Sequence, residues 1–146
     1  MAWISSAESQ RFADIATSVN ASIKRQGKFE PAAFALELEA AEMTLDGESV
    51  RWMVGKEQKI ISEGDVYGRK WDPESFESIL DSVMERAYHK NRIYLAIKDG
   101  FTSVEDISNR TGLDFKMISH LLADLEKTGM VKFSGMKDKI PVFATL

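Results

Sequence analysis

Two histidines, His89 and His120, are the only imidazoles in a chain that has no cysteine at all. The missing thiols remove disulfides, thiolate metal sites and cysteine nucleophiles together. The histidines fall in different predicted helices, and no spacing of Asp or Glu gathers carboxylates around either, so no metal site is expected. No glycine-rich phosphate loop, GxSxG elbow or HExxH pair occurs, which leaves no residues on which to rest an enzyme activity or a cofactor. One short stretch does concentrate side chains able to bind. GDVYGRKWD, residues 64–72, holds Tyr67, Arg69, Lys70 and Trp71, a composition that suits a ligand pocket or partner hot spot as well as a loop anchored on a core. Trp3 and Trp52 read as core or dimer-contact residues.

Apolar residues make up 44% of the 146 residues, enough to bury a core without staples. No apolar run reaches the length of a membrane span, and MAWISSAESQRF has neither the basic start nor the continuous apolar segment of a signal peptide. A cytoplasmic protein is expected. Charge divides the chain. Residues 1–82 carry 9 Lys+Arg against 15 Asp+Glu, and residues 83–146 carry 10 against 8. An acidic part for dimerisation, partner or effector binding, followed by a mildly basic nucleic-acid module, fits that split.

The elements that must position these residues follow from periodicity. Ile4, Phe12, Ile15, Val19 and Ile23 predict an amphipathic helix over about 5–26, with Ser5 and Glu8 as a capping box and Gly27 at its end. Its opposite face is polar without being strongly basic, which argues against a membrane surface. Over 31–52 two readings compete. Asp46-Gly47 is a preferred hairpin turn, and folding there pairs Met43 with Val50, Ala41 with Trp52 and Glu42 with Arg51. Glu30-Pro31 followed by good helix formers instead suggests a helix over 31–43. The hairpin is preferred, with residues 59–68 as a short third strand or a connection. Asp72-Pro73 then opens a helix whose apolar seam runs through Phe76, Leu80, Val83, Ala87, Tyr94 and Ile97 to Lys98, interrupted by Lys90, either unbroken or hinged near residues 89–91.

In the last third, Thr102-Ser-Val-Glu105 reads as a capping box opening a short helix, Gly112 permits a tight turn, and Leu113 plugs the corner. From Asp114 as N-cap, Ile118, Leu121, Leu122 and Leu125 make one apolar face, and Gly129 ends the helix. Val131 and Phe133 alternate as a strand, SGMKDK turns, and PVFATL returns with Pro141 near its start. This order of elements, over about residues 83–146, resembles the winged-helix (winged helix-turn-helix) superfamily in the manner of MarR- and ArsR-type regulators; residues 1–82 resemble no family. The expected fold is α+β and mainly helical: an N-terminal helix with a small β-hairpin region, a linking helix, and a C-terminal winged helix-turn-helix.

The resemblance implies a non-enzymatic DNA-binding protein, a dimeric transcription regulator that sets residues 114–127 in the major groove of double-stranded DNA. Lys116, Ser119, His120 and Lys127 would then face the groove, and Lys132, Lys137 and Lys139 would meet phosphates from the wing. Against this, residues 114–127 set Lys116 and Lys127 against Asp114, Asp124 and Glu126 and contain no Arg or Asn for bidentate base reading. The alternative is a protein-interaction adaptor subunit of a larger, multisubunit and enzymatic assembly, with a protein partner held through residues 1–82 or the winged helix. No helix follows the last strand, so a homodimer is expected to pair through residues 1–100, at Phe12, Ile15 and Val19 or at Phe76, Leu80 and Val83.

Overall fold

The computed structural model describes residues 9–146. The capping box expected at Ser5 and Glu8, with Trp3 and Ile4, lies outside them. The chain divides into two units, Met1–Phe34 and Ala35–Leu146. In the first, α1 (Ser9–Gln26) follows the expected apolar spacing and buries none of its residues. Gly27 closes it in the left-handed region, φ 75°, donating its N–H to the Ile23 carbonyl at 3.2 Å. A 3-10 turn follows over Pro31–Phe34, and Phe29 stacks on Phe34 at 5.5 Å.

The second unit runs α2 (Ala35–Asp46), α3 (Glu48–Ser62), α4 (Pro73–Lys98), α5 (Val104–Thr111), α6 (Phe115–Lys127), β1 (Val131–Lys137) and β2 (Ile140–Thr145). The described chain is thus a mainly helical α+β protein whose one hairpin is C-terminal. The N-terminal hairpin expected around Asp46-Gly47 is replaced by two helices. A type I′ turn needs positive φ at both central residues, whereas Asp46 ends α2 and Gly47 is extended at φ −60°, ψ 133°, as N-cap of α3. Glycine is needed there for closeness: a Cβ on Gly47 would stand 3.0 Å from the Thr44 carbonyl oxygen. Tertiary packing decides for helix. Leu36, Ala40 and Thr44, four apart, are all buried, and Leu36 and Ala40 join Leu95 of α4 in one apolar cluster. Thr44 is anchored twice, its hydroxyl donating to the Ala40 carbonyl at 2.7 Å and accepting from Asn91 Nδ2 at 2.9 Å. Residues 59–62 complete α3 and the rest of 59–68 belongs to its connection with α4, so no third strand forms there.

Asp72 caps α4 as expected, its carboxylate accepting from Ser75 N at 2.9 Å with Pro73 in the first turn. The helix passes residues 82 and 89–91 without interruption, its 26 residues spanning about 39 Å at 1.5 Å per residue. Its C-terminal half serves two layers: Leu95 faces α2, while Ile93, Ala96 and Ile97 join Ile107, Leu113, Ile118, Leu121, Leu122, Leu125 and Val131 in the main core.

The helix start expected at Thr102 with Glu105 moves one residue on. Ser103 is the N-cap of α5, accepting from Asp106 N at 3.1 Å and donating to Asp106 Oδ2 at 2.7 Å. Thr102 instead gives its carbonyl to Phe143 N at 2.9 Å, which stitches the start of α5 to β2 beside the Ser103–Val142 bridge. Gly112, at φ 72°, makes the turn into α6, and Asp114 caps that helix by accepting from Met117 N at 2.9 Å. The hairpin pairs Val131 with Thr145, Phe133 with Phe143 and Lys137 with Ile140, shifting register between Phe133 and Gly135. Its turn is tighter than SGMKDK suggested: Asp138 and Lys139 alone make it, at φ 51° and 69°.

Candidate functional site

The chemistry of α6 follows from its three carboxylates. Asp114 is committed to the cap. Asp124 turns toward α4, where its side chain, 20% exposed, pairs with Arg86 and stands 3.8 Å from Lys90 Nζ. Lys90, the charge that interrupted the apolar seam of α4, is thereby accounted for. The Arg86 hydrogen bond holds the Asp124 carboxyl below its ordinary range against an opposing desolvation, helped by the Arg86 and Lys90 charges. Glu126 reaches the other flank, where its Oε1 accepts from Phe133 N at 2.9 Å and ties β1 to the helix.

Opposite the buried Ile118, Leu121, Leu122 and Leu125, the 100° step of a helix places Lys116, His120, Ala123 and Lys127, all exposed. The hairpin adds exposed Lys132 on β1, Lys137 at its end and Lys139 in the turn. Among the described residues none of these five lysines has a carboxylate partner. The other cations of residues 83–146 are largely engaged. Arg92 donates to the Thr111 carbonyl, lies 3.8 Å from Glu37 and stacks over Tyr88 at 5.5 Å, Lys98 meets Glu39 at 3.4 Å, and Arg110 lies over Phe101 at 5.8 Å. What α6 and the hairpin can do chemically is attract an anionic surface, with point charges and without guanidinium forks.

Two predicted contacts differ from their expected setting. Ser119 donates its hydroxyl to the Phe115 carbonyl at 2.8 Å, so only its oxygen lone pairs remain outward. His120 lies on the α4 side of the outer face, in a groove of about 260 Å³ lined also by His89, Glu85, Arg86 and Met117. The two histidines therefore share one groove, which helix assignment alone did not show. Among the described residues no three His, Cys, Asp or Glu are placed to hold a metal ion. Sequence reasoning also missed the apolar members of this surface: Phe115, Met117, Phe133, Met136 and Ile140 are exposed beside the lysines.

Of the residues expected at a dimer interface, Phe12 and Val19 are exposed and Ile15 is half-buried on α1, Leu80 and Val83 are half-buried, and Phe76 is buried in the chain's own interior. The 64–72 loop is built around Asp65, whose carboxylate accepts from Tyr67 N (2.9 Å), Arg69 N (3.0 Å), Arg69 Nε (3.0 Å) and Trp71 Nε1 (3.4 Å). Those bonds, the Arg69 backbone N–H first, lower the Asp65 pKa, and they leave Val66 and Tyr67 outermost. Among the described residues no helix is long and apolar enough to cross a membrane. Compared with protein-family models, curated proteins and solved structures, the chain finds no match.

Proposed function

We propose that the protein is a winged-helix DNA-binding protein, without enzyme activity, that acts in the cytoplasm as a dimeric transcription regulator. α6 is its groove-facing helix and the β1–β2 hairpin its wing. The observation that carries this reading is the sorting of charge on α6. Its carboxylates serve the cap, α4 and the hairpin, while Lys116, His120 and Lys127 occupy the outer face. The negative count of residues 114–127 therefore overstates what a phosphate would meet. The five unpaired lysines supply phosphate contacts, which position the protein, and Lys116 in the first turn of α6 lies where a helix end meets base edges. Lacking Arg and Asn, the helix reads sequence weakly, and affinity rests on charge and on the second protomer.

Gel retardation of a duplex at low salt tests this. Lys137→Glu with Lys139→Glu abolishes retention in a chain that keeps its helical signal, and retention equal to the unsubstituted chain would overturn the wing contact. Exposed Phe115, Phe133 and Met136 favour a second reading, in which the same surface docks on a protein as an adaptor subunit. Under that reading Phe133→Ser abolishes assembly and the two lysine reversals leave it intact.

A further inference from the structure

The face of α2 turned away from the core carries a second, independent surface. Leu36, Ala40 and Thr44 are buried, and on the side of the helix turned from them stand Leu38 (45% exposed) and Leu45 (59% exposed), with the half-buried Ala41 between them nearer the core, at i, i+3 and i+7. Glu39, Glu42 and Asp46 repeat the same spacing one residue later, so an acidic ridge runs along one edge of the apolar stripe. No Lys or Arg occurs between Lys28 and Arg51. The cations that reach α2 from α4 meet Glu37 and Glu39, Arg92 at 3.8 Å and Lys98 at 3.4 Å, while Glu42 and Asp46 have no ion pair among the described residues. A solvated surface helix does not need leucines at its outermost positions, and burying them would remove apolar area from water.

We infer that this face of α2 is a docking site for an amphipathic helix of a partner protein whose apolar stripe is bordered by lysines or arginines. Charge complementarity selects that occupant. A basic border placed along Glu39, Glu42 and Asp46 neutralises the ridge, whereas an acidic one faces like charges. The length matches a short helix: the 12 residues of α2 span about 18 Å, three turns of a partner laid alongside. Recognition is side-by-side pairing of two helices, with the partner's anchors at i, i+3, i+4 and i+7. Nucleic acid takes no part in it.

The test uses the full chain and a fluorescent helical peptide with leucines at i, i+3, i+4 and i+7 and lysines on the flank, read by anisotropy without DNA. The chain binds this peptide, binding weakens as salt rises, and the same peptide with glutamates for its lysines binds at least about tenfold more weakly. Leu38→Gln with Leu45→Gln, which leaves charge unchanged, lowers affinity by about tenfold. Glu42→Gln with Asp46→Asn lowers it and flattens the salt dependence. Glu74→Gln with Glu77→Gln, which removes as much charge from α4, leaves it unchanged. Equal binding of the two peptides, equal loss from the α4 pair, or an unchanged Leu38/Leu45 variant overturns the inference. So does a chain dimer that those leucine substitutions dissociate, since the occupant is then a second copy. Circular dichroism confirms that each variant is folded.

Discussion

Asp124 shows how a single side chain alters the meaning of a charge count. Its partner Arg86 lies 38 residues away, so nothing in the local sequence identifies the pair, and Asp124 reads there as a repulsive charge on a DNA-facing helix. The fold makes it the link between α4 and α6. Its depressed pKa implies a pH dependence with a definite sign. The carboxylate stabilises the folded state above its ordinary value of 3.8, and that stabilisation is lost as pH falls from there through the lower folded value. Asp124→Asn should therefore lower the thermal midpoint at neutral pH and converge with the unsubstituted chain in acid. A difference that persists in acid would mean that the charge is not responsible. Lys139 supplies a second test. It holds φ 69° in the hairpin turn, a conformation that costs a side-chain-bearing residue about 1–2 kcal/mol relative to glycine. Lys139→Gly is expected to raise thermal stability and, by removing a cation, to weaken DNA retention. Opposite movements of those readouts separate the function of this residue from its contribution to the fold.

Among the elements, those legible in the sequence are those whose signals are local. The Asp72-Pro73 and Asp114 caps, the glycine endings at Gly27 and Gly112 and the leucine face of α6 all form where spacing and capping chemistry place them. The 41–52 stretch failed because its local signals conflicted. Alternating apolar residues around Asp46-Gly47 described a plausible hairpin, but Leu36, Ala40 and Thr44 also form a stripe four apart, and burial on Leu95 with the Asn91 hydrogen bond decides between them. Neither Leu95 nor Asn91 is within a local window of that stripe. The one-residue slip at α5 has a similar cause: the backbone bond of Thr102 to Phe143 takes it into the sheet and leaves Ser103 to cap. Ser103→Ala should accordingly cost about 1 kcal/mol in chemical denaturation and Thr102→Ala only a few tenths. The reverse order would return the cap to Thr102. In the core, Ile118→Ala removes a fully buried side chain and should cost about 2–5 kcal/mol.

For the whole molecule, the proposal requires two protomers. Under that reading, five lysines bearing no carboxylate partner among the described residues would give one chain roughly four phosphate contacts, so a monomer is expected to bind weakly and a pair usefully. α1 offers its apolar face for that pairing: none of its residues is buried, and Phe12, Val19 and Ile23 are exposed. Ile15→Glu with Val19→Glu should give a folded monomer by light scattering at micromolar concentration, with DNA affinity reduced. A dimer that survives both substitutions would move the interface elsewhere. The most direct test of the central claim is the salt dependence of duplex binding by the unsubstituted chain, measured by fluorescence anisotropy beside a variant carrying Lys116→Ala, Lys137→Ala and Lys139→Ala. Binding through these lysines predicts that log affinity falls linearly with log salt, with a slope of roughly −7 for a dimer that meets about eight phosphates, and a clearly shallower slope for the variant. The absence of duplex binding at low salt, or the same slope for both chains, would contradict it.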